Sequence, residues 1–256
     1  MLWFIWLSLH SITATAMKKA IIVTPVKNSI ELTLLTIESV VKCLTEDSTY
    51  TIYNDFSTDE CRMALEDAVK KYGINLVNLE DITSHPSPNY RLVLQESQKK
   101  AISEGADLII VESDVIVTND TIAKLRNYAD EHRGECGIIA AITTDNNGEI
   151  NYPYIFAKKH FQRKENVPTK KHVSFCCSLL TNELLSSYSF EDLDPQKSWY
   201  DVHISQVSRQ IGLKNILLCE APVIHEPHGS RPHKKLKKTN PLKYYWNKIT
   251  KHPDRI

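Results

Sequence analysis

Two carboxylates stand directly after an apolar stretch of the sequence, at Glu112 and Asp114. Only Ser113 separates them, and aliphatic residues flank the triplet on both sides. In an extended chain the side chains of residues i and i+2 share a face, so both carboxylates can approach one hard divalent cation. The triplet therefore predicts a cation site, with an ordinary acidic surface turn as the alternative.

Alternating apolar and amphipathic stretches predict the elements that position this triplet. Strands are predicted at 20–24, 51–53, 74–79 and 107–111, and helices at 30–44, 60–72 and 92–104, the second helix capped by Ser57 or Thr58. Strands that alternate with helices form a parallel sheet covered on both faces, and such sheets bind ligands beyond the carboxyl ends of their strands. The candidate binding residues therefore follow three of these strands, at 25–28, 54–59 and 112–114.

The second half of the chain is less regular. It predicts a strand at 138–142, a loop-rich stretch at 143–171, an apolar run at 173–180 and a helix at 199–211. Loops as long as the one at 143–171 are usually functional or mobile in a compact domain. The six cysteines form no C-x-x-C pair, and adjacent Cys176 and Cys177 in an apolar run are predicted to fill the core as free thiols.

Composition excludes several classes of protein. The chain has 256 residues, of which 42% are apolar and 24% charged, which is typical of a soluble globular protein and excludes a disordered or polytopic membrane chain. None of the seven glycines forms a G-x-G pair, which removes the dinucleotide-binding fingerprint and the P-loop. Lys plus Arg and Asp plus Glu both number 31, so the net charge is zero and no nucleic-acid partner is expected.

The two ends of the chain differ in charge and hydropathy. Residues 231–256 hold nine basic residues and one acid, so this tail carries +8 and the remaining 230 residues carry −8. The tail is interpreted either as a solvated terminus or as a segment attracted to anionic lipid or to a phosphate-bearing ligand. Residues 1–16 are apolar at first but lack a basic start, so an upstream start codon is favoured over a secretory signal.

Several stretches resemble, in the same order, the motifs of the family 2 glycosyltransferases of GT-A fold, which transfer sugars from nucleotide donors. The resemblance covers about residues 17–231. It is carried by IIVTPVKNSIELTLLTIESV (the opening strand and helix), YNDFSTDE (the D-D-G-S-T-D turn), LIIVESDVIV (the strand with the D-x-D element), SWYDVHISQVSRQIGL (the E-D-x-D-L-S segment and its helix) and APVIHEPHGSR (a late strand and His-bearing loop). Four residues depart from the commonest pattern, namely Asn54, Phe56, Glu112 and Tyr200.

The resemblance implies an α/β protein with a Rossmann-like, mostly parallel central sheet flanked by helices and a small mixed subregion on the acceptor side. Residues 17–117 would form the nucleotide-sugar-binding half, 118–231 the acceptor-binding and catalytic half, and 232–256 the basic tail. The expected partners are a nucleoside diphosphate sugar, a glycan or lipid-linked acceptor and, through the tail, an anionic membrane. The expected location is cytoplasmic, with peripheral contact at the inner membrane face, in the synthesis of a cell-surface polysaccharide or other glycoconjugate.

The resemblance also implies roles for individual residues. Asp114, Glu112 and His225 would hold Mg²⁺ or Mn²⁺, and Asp201 would be the catalytic base of an inverting reaction. The nucleotide sugar would be bound by residues from several loops, namely Thr24, Pro25, Asp55, Tyr90, Arg91, Ser113, His228, Ser230 and Arg231.

Alternatives remain at this point. Asp201 is alternatively a simple cap of the helix that follows it, and His225 a structural histidine. For the whole protein, the alternatives are a non-catalytic relative that binds a nucleotide sugar or glycan, and a sugar nucleotidyltransferase, although the latter uses a Gly-rich loop where this chain has Pro25-Val26-Lys27-Asn28.

Overall fold

The computed structural model describes residues 18–226 and 239–250, and within them one mixed sheet lies between two layers of helices. The strands are β1 (Ala20–Val26), β2 (Ser48–Asn54), β3 (Asn75–Asn78), β4 (Asp107–Val111), β5 (Val115–Ile116), β6 (Cys136–Thr144), β7 (Val167–Pro168), β8 (Cys177–Leu180) and β9 (Lys214–His225). The helices are α1 (Ile30–Val41), α2 (Asp59–Tyr72), α3 (Tyr90–Ser103), α4 (Thr121–Glu131), α5 (Lys158–Arg163), α6 (Asn182–Ser187), α7 (Tyr200–Gln210) and α8 (Pro241–Thr250).

The sheet has a parallel half and a mixed half. Its strand order is β3-β2-β1-β4-β8-β6-β9-β5, and the short strand β7 pairs antiparallel with β9 outside this order. The strands from β3 to β4 are parallel to their neighbours, which places the carboxyl ends of β1, β2 and β4 at one edge. β8 then runs antiparallel between β4 and β6. The predicted α/β class, with a mostly parallel half followed by a mixed region, is confirmed.

Each face of the sheet buries its own hydrophobic core. Ile37, Leu65 and Leu125 pack from α1, α2 and α4 onto one face. Val93, Leu184 and Ile204 pack from α3, α6 and α7 onto the other face. β4 contributes to both cores because its five residues are all buried, as expected of a central strand covered on both sides.

The predicted strand ends need one correction, at Pro25. Pro25 was expected to stop the first strand, but β1 continues through it to Val26. β4 pairs with β1 only as far as Val23, whereas β2 pairs along its whole length. Pro25 therefore lies where β1 has a neighbour on one side only, a position at which proline is tolerated. By contrast, the cap of α2 is as predicted, since the Thr58 hydroxyl accepts from the Cys61 N–H at 3.4 Å.

A large bulge interrupts the pairing of β9 with β6. Leu218 pairs with Ala141, but the next residue of β6, Ile142, pairs with Pro222. Residues 219–221 of β9 are thus inserted between two regularly paired halves, and the second half leads to His225. Leu218 and Val223 pack into the same core although they are five residues apart, so the bulge shifts the alternation within β9 while each half stays in step with β6.

Candidate active site

The end of β4 lies beside the start of β8. Val111 pairs with Cys177, and one residue further the Glu112 N–H donates to the Cys176 carbonyl at 2.9 Å. Directly opposite residues of an antiparallel pair have neighbouring side chains on one face. The side chains of Glu112 and Cys176 are therefore brought together by strand register.

His225 approaches this pair from the last residue of β9. Its ring is 1% exposed, and Nδ1 lies 3.1 Å from the Tyr152 carbonyl. Since a carbonyl only accepts, Nδ1 carries a proton, and in the neutral form of the ring the lone pair is on Nε2. Nε2 lies 3.7 Å from Oδ2 of Asp114 and 3.8 Å from Sγ of Cys176.

These side chains form a compact group of potential metal ligands. One ligand atom each from Glu112, Cys176 and His225 lies within 4.8 Å of the others, and Asp114 adds its carboxylate beside the imidazole. Asp114 and Ser113 are buried, while Glu112 is half-buried. The hydrogen bond that His225 Nδ1 donates to the Tyr152 carbonyl is of the kind that orients metal-binding imidazoles.

The phenol of Tyr90 lies within electrostatic reach of both ends of the site. Its pKa is raised first by burial and then by the negative charges of Glu112, Asp201 and Cys176. The hydroxyl is buried and has no hydrogen-bond partner among the described residues. The charges of the acidic triplet and of the first turn of α7 therefore both act on the Tyr90 phenol.

Asp201 is the second residue of α7, which begins at Tyr200, one residue before the predicted capping position. Its Oδ1 accepts from the N–H of Val202 at 2.9 Å. A carboxylate in the first turn of a helix is stabilised by the helix dipole. The N-cap of α7 is Trp199, so the alternative in which Asp201 caps the helix is wrong, and the charge of Asp201 acts on the Tyr90 phenol.

Asp55 follows β2 and is held by the loop that leads into α3. Oδ2 accepts from the Ser87 hydroxyl at 2.7 Å and from the Asn89 N–H at 2.9 Å, and Oδ1 accepts from the Asn89 side-chain amide at 2.8 Å. Asp55 is 8% exposed. The carboxylate therefore fixes the residue that directly precedes Tyr90.

The remaining predicted nucleotide-binding residues are distributed around the edge of the sheet. Thr24 is fully buried and its hydroxyl pairs with that of Tyr50 at 2.8 Å, so its side chain lies in the core, while Pro25 is half-buried at the edge. Arg91 donates to the Leu193 carbonyl at 3.3 Å, which turns it toward the segment before α7. His228, Ser230 and Arg231 lie outside the described residues.

A small cavity lies at the start of α7. Its volume is about 140 Å³, and its lining includes Asp194, Trp199, Tyr200 and His203. Pockets for drug-sized ligands usually measure roughly 300–1,000 Å³, so this cavity is too small for a nucleotide sugar. The metal-ligand group, by contrast, lies at the ends of β4 and β9.

Sequence reasoning missed three residues of this site. The prediction that Cys176 fills the core is confirmed, but its sulfur also lies 3.2 Å from the Ser174 hydroxyl and contacts the His225 imidazole, which the prediction did not include. Ser87 and Asn89 were passed over because they lie in an irregular loop with no periodic pattern. The cluster of turn-forming residues at 83–89, directly after the third strand, was the available signal.

Comparisons with known proteins show the family and the fold. The family model described as "Glycosyl transferase family 2" matches residues 21–188. No curated protein sequence matches the chain. Among solved structures, a mannosyltransferase, PcManGT from Pyrobaculum calidifontis in complex with GDP-Man and Mn²⁺, superposes with a TM-score of 0.64 at 11% identity, covering 92% of this chain and 65% of its own.

Two further solved structures share the fold. TarS residues 1-349 from S. aureus in complex with UDP-GlcNAc has a TM-score of 0.61 at 16% identity, covering 89% of this chain and 64% of its own. GalNAc-T7 with UDP, GalNAc and Mn²⁺ has a TM-score of 0.62 at 15% identity, covering 93% of this chain and 51% of its own. The chain thus spans between about half and two thirds of the length of these structures.

Proposed function

Since the chain belongs to glycosyl transferase family 2 and is a glycosyltransferase with a GT-A fold, we propose that it transfers a sugar from a nucleoside diphosphate donor to a hydroxyl of a glycan or lipid-linked acceptor, with inversion at the anomeric carbon. One observation carries the proposal. Glu112, Asp114 and His225 converge at the sheet edge where ligands of such folds bind, and the charges of Glu112 and Asp201 both act on Tyr90.

The donor set of the site fits a divalent cation. We propose that Glu112, Asp114 and His225 hold Mg²⁺ or Mn²⁺, because carboxylates and a neutral imidazole are suitable ligands and Nε2 of His225 already presents its lone pair. A cation bound there would neutralise negative charge on the departing diphosphate. Two of the similar solved structures contain Mn²⁺ together with a nucleotide or nucleotide sugar, which supports a metal-dependent reaction here.

Asp201 is proposed as the catalytic base. The acceptor oxygen forms a bond to the anomeric carbon while the bond from that carbon to the phosphate oxygen breaks, and the nucleoside diphosphate leaves with the electron pair. The acceptor proton has to be removed during this attack, and a carboxylate on the side opposite the leaving group can take it. The charges of Asp201 and Glu112 both raise the pKa of the Tyr90 phenol, and this common electrostatic effect supports a location of Asp201 near the cation site.

The nucleotide is proposed to bind along the loops that follow β1, β2 and β3. Asp55 and the loop that it fixes support the nucleoside end, together with Pro25 and the backbone of Thr24, since the Thr24 hydroxyl pairs with Tyr50. Arg91 and Ser113 complete the donor site. His228, Ser230 and Arg231 are proposed to contact the diphosphate on the basis of the family resemblance alone.

Donor turnover tests the proposal directly. With Mn²⁺ present, release of nucleoside diphosphate from a panel of UDP- and GDP-sugars is expected for one donor and is expected to stop when the metal is chelated. Asp201→Asn is expected to lose transfer and to keep donor affinity, whereas Asp67→Asn, an exposed position on α2, serves as the matched control. Metal-independent binding of a donor without any turnover would instead favour a non-catalytic relative.

The basic tail is proposed to bind an anionic membrane surface, next to a lipid-linked acceptor on the cytoplasmic side. No helix in the described part of the chain is long and apolar enough to span a bilayer. In α8, however, Leu242, Tyr245 and Trp246 are spaced as on one helix face and are 84%, 51% and 68% exposed. An exposed apolar face within a +8 segment fits an interfacial helix, with about 1 kcal/mol per basic residue near the surface.

Liposome sedimentation tests the membrane proposal. Binding is expected for vesicles that contain phosphatidylserine, and it is expected to fall with added salt and with the substitution Trp246→Ser. Vesicles of phosphatidylcholine alone provide the control for charge. Equal binding to both kinds of vesicle, or binding to neither, would contradict the membrane proposal and favour the interpretation of the tail as a solvated terminus.

A further inference from the structure

We propose that Cys176 is a ligand of the same cation site, which makes it a mixed carboxylate, thiolate and imidazole site that prefers Zn²⁺ or Co²⁺ to Mg²⁺. The proposal rests on the proposed function for the position of the site, and it adds a ligand and a metal preference. Neither follows from the acidic triplet, which by itself favours a hard cation.

The position of Cys176 is fixed by the sheet and not by a mobile loop. Its carbonyl accepts from the Glu112 N–H at 2.9 Å, in continuation of the register that pairs Val111 with Cys177. The antiparallel strand β8 lies between β4 and β6, so it has a neighbour on each side. The thiol is therefore held beside the carboxylate of Glu112 by backbone hydrogen bonds, which is the rigid placement that a ligand needs.

The distances suit a common metal ion. Zn²⁺ binds sulfur at about 2.3 Å and imidazole nitrogen at about 2.0–2.1 Å, so the two ligand atoms of a tetrahedral site lie about 3.5 Å apart. Sγ of Cys176 lies 3.8 Å from Nε2 of His225. The Glu112 oxygen completes a triangle in which all separations are within 4.8 Å.

The surroundings of the two adjacent cysteines differ, although both are buried. Both cysteines belong to the same hydrophobic core, and burial raises the pKa of the Cys177 thiol far above the ordinary value. Cys176 contacts the Ser174 hydroxyl and the His225 imidazole. A sulfur among polar and ionisable groups, facing the lone pair of a tautomerically fixed imidazole, matches the soft donor sets that select zinc and cobalt.

Cobalt absorption provides a readout that needs no sugar donor. The full chain titrated with Co²⁺ is expected to develop the near-ultraviolet charge-transfer absorption of a sulfur-to-cobalt bond. Cys176→Ala is expected to lose this absorption and at least about 10-fold in Zn²⁺ affinity, in line with the cost of perturbing metal sites. Cys177→Ala, the matched control, is expected to retain both.

Two results would overturn the proposal: no sulfur-to-cobalt absorption in the wild-type chain at saturating Co²⁺, or the same absorption in Cys176→Ala. X-ray absorption fine structure of the Zn²⁺-loaded wild-type chain decides the question without any variant, since one sulfur at about 2.3 Å is expected and a shell of oxygen and nitrogen alone contradicts it. Because metal binding is measured without a sugar donor, it can be interpreted even if the chain does not transfer sugar. In the same way, sugar transfer can be observed even if Cys176 does not bind the metal.

Discussion

Asp55→Asn is the substitution whose cost follows most directly from the geometry. The change keeps the shape of the side chain but replaces one acceptor oxygen by an amide nitrogen. Both carboxylate oxygens of Asp55 face donors, namely the Ser87 hydroxyl, the Asn89 N–H and the Asn89 side-chain amide. Asn89 cannot simply turn its own amide around, because the same nitrogen also donates to the His85 carbonyl at 3.0 Å.

At least one hydrogen bond to the carboxylate is therefore lost in either orientation of the new amide. A hydrogen bond to a charged group contributes about 1.5–3 kcal/mol, and a buried donor left without its acceptor adds to the loss. We expect Asp55→Asn to lower the free energy of unfolding by about 2–3 kcal/mol. Because Tyr90 follows Asn89 directly, affinity for a nucleoside diphosphate is expected to fall as well.

Urea denaturation followed by circular dichroism measures the first effect, and calorimetric titration with UDP and GDP measures the second. Asp67→Asn, on the exposed side of α2, is the control for loss of one negative charge. A change in unfolding free energy within about 0.5 kcal/mol, the range of ordinary surface substitutions, would refute the reasoning.

Three further predictions concern other parts of the chain. Tyr90→Phe is expected to leave the urea midpoint unchanged, because the buried hydroxyl has no hydrogen-bond partner among the described residues. The same variant is expected to lower kcat/KM for transfer about tenfold. Unaltered transfer would exclude a contact of the hydroxyl with substrate. Burial lowers the pKa of His203 below its ordinary 6.5, so His203 is protonated at a higher pH in the unfolded chain than in the folded one, and the free energy of unfolding falls as the pH drops below 6.5. Urea denaturation of His203→Gln should show a smaller fall over this pH range. An equal fall contradicts the assignment to His203. Gly137→Ala would place a methyl group against the buried Ser208 hydroxyl and 3.2 Å from Cβ of Leu213. We expect it to lower the free energy of unfolding in urea by about 1–3 kcal/mol, and Ser208→Ala should partly relieve this loss. If the losses of the two substitutions simply add in the double variant, the contact is contradicted.

The sequence was most informative where one local signal dominated. The predicted strand at 107–111 coincides with β4, because a run of consecutive apolar residues is what a strand buried on both faces requires. The predicted third helix, at 92–104, corresponds to α3, which begins two residues earlier. Its start depends on Asn89 and the distant carboxylate of Asp55, a tertiary contact that periodicity does not encode.

The sequence predicted the two acidic residues of the site but not the cysteine beside them. Glu112 and Asp114 were visible because charge directly after a buried strand is unusual. Cys176 has no such contrast with its neighbours, since cysteine in an apolar run is most often core. Only the antiparallel register of β8, which the predicted parallel sheet did not specify, brings its thiol to Glu112 and His225.

The bulge in β9 makes the presence of His225 in the site a matter of chain length. Residues 219–221 separate two halves of the strand that are each paired with β6, and side chains of a strand alternate between faces. A deletion that only shortens the bulge leaves His225 on its present face, because paired residues of neighbouring strands share a face. A deletion that the bulge does not absorb slips the second half by one residue along β6, and this slip turns the imidazole to the opposite face of the sheet.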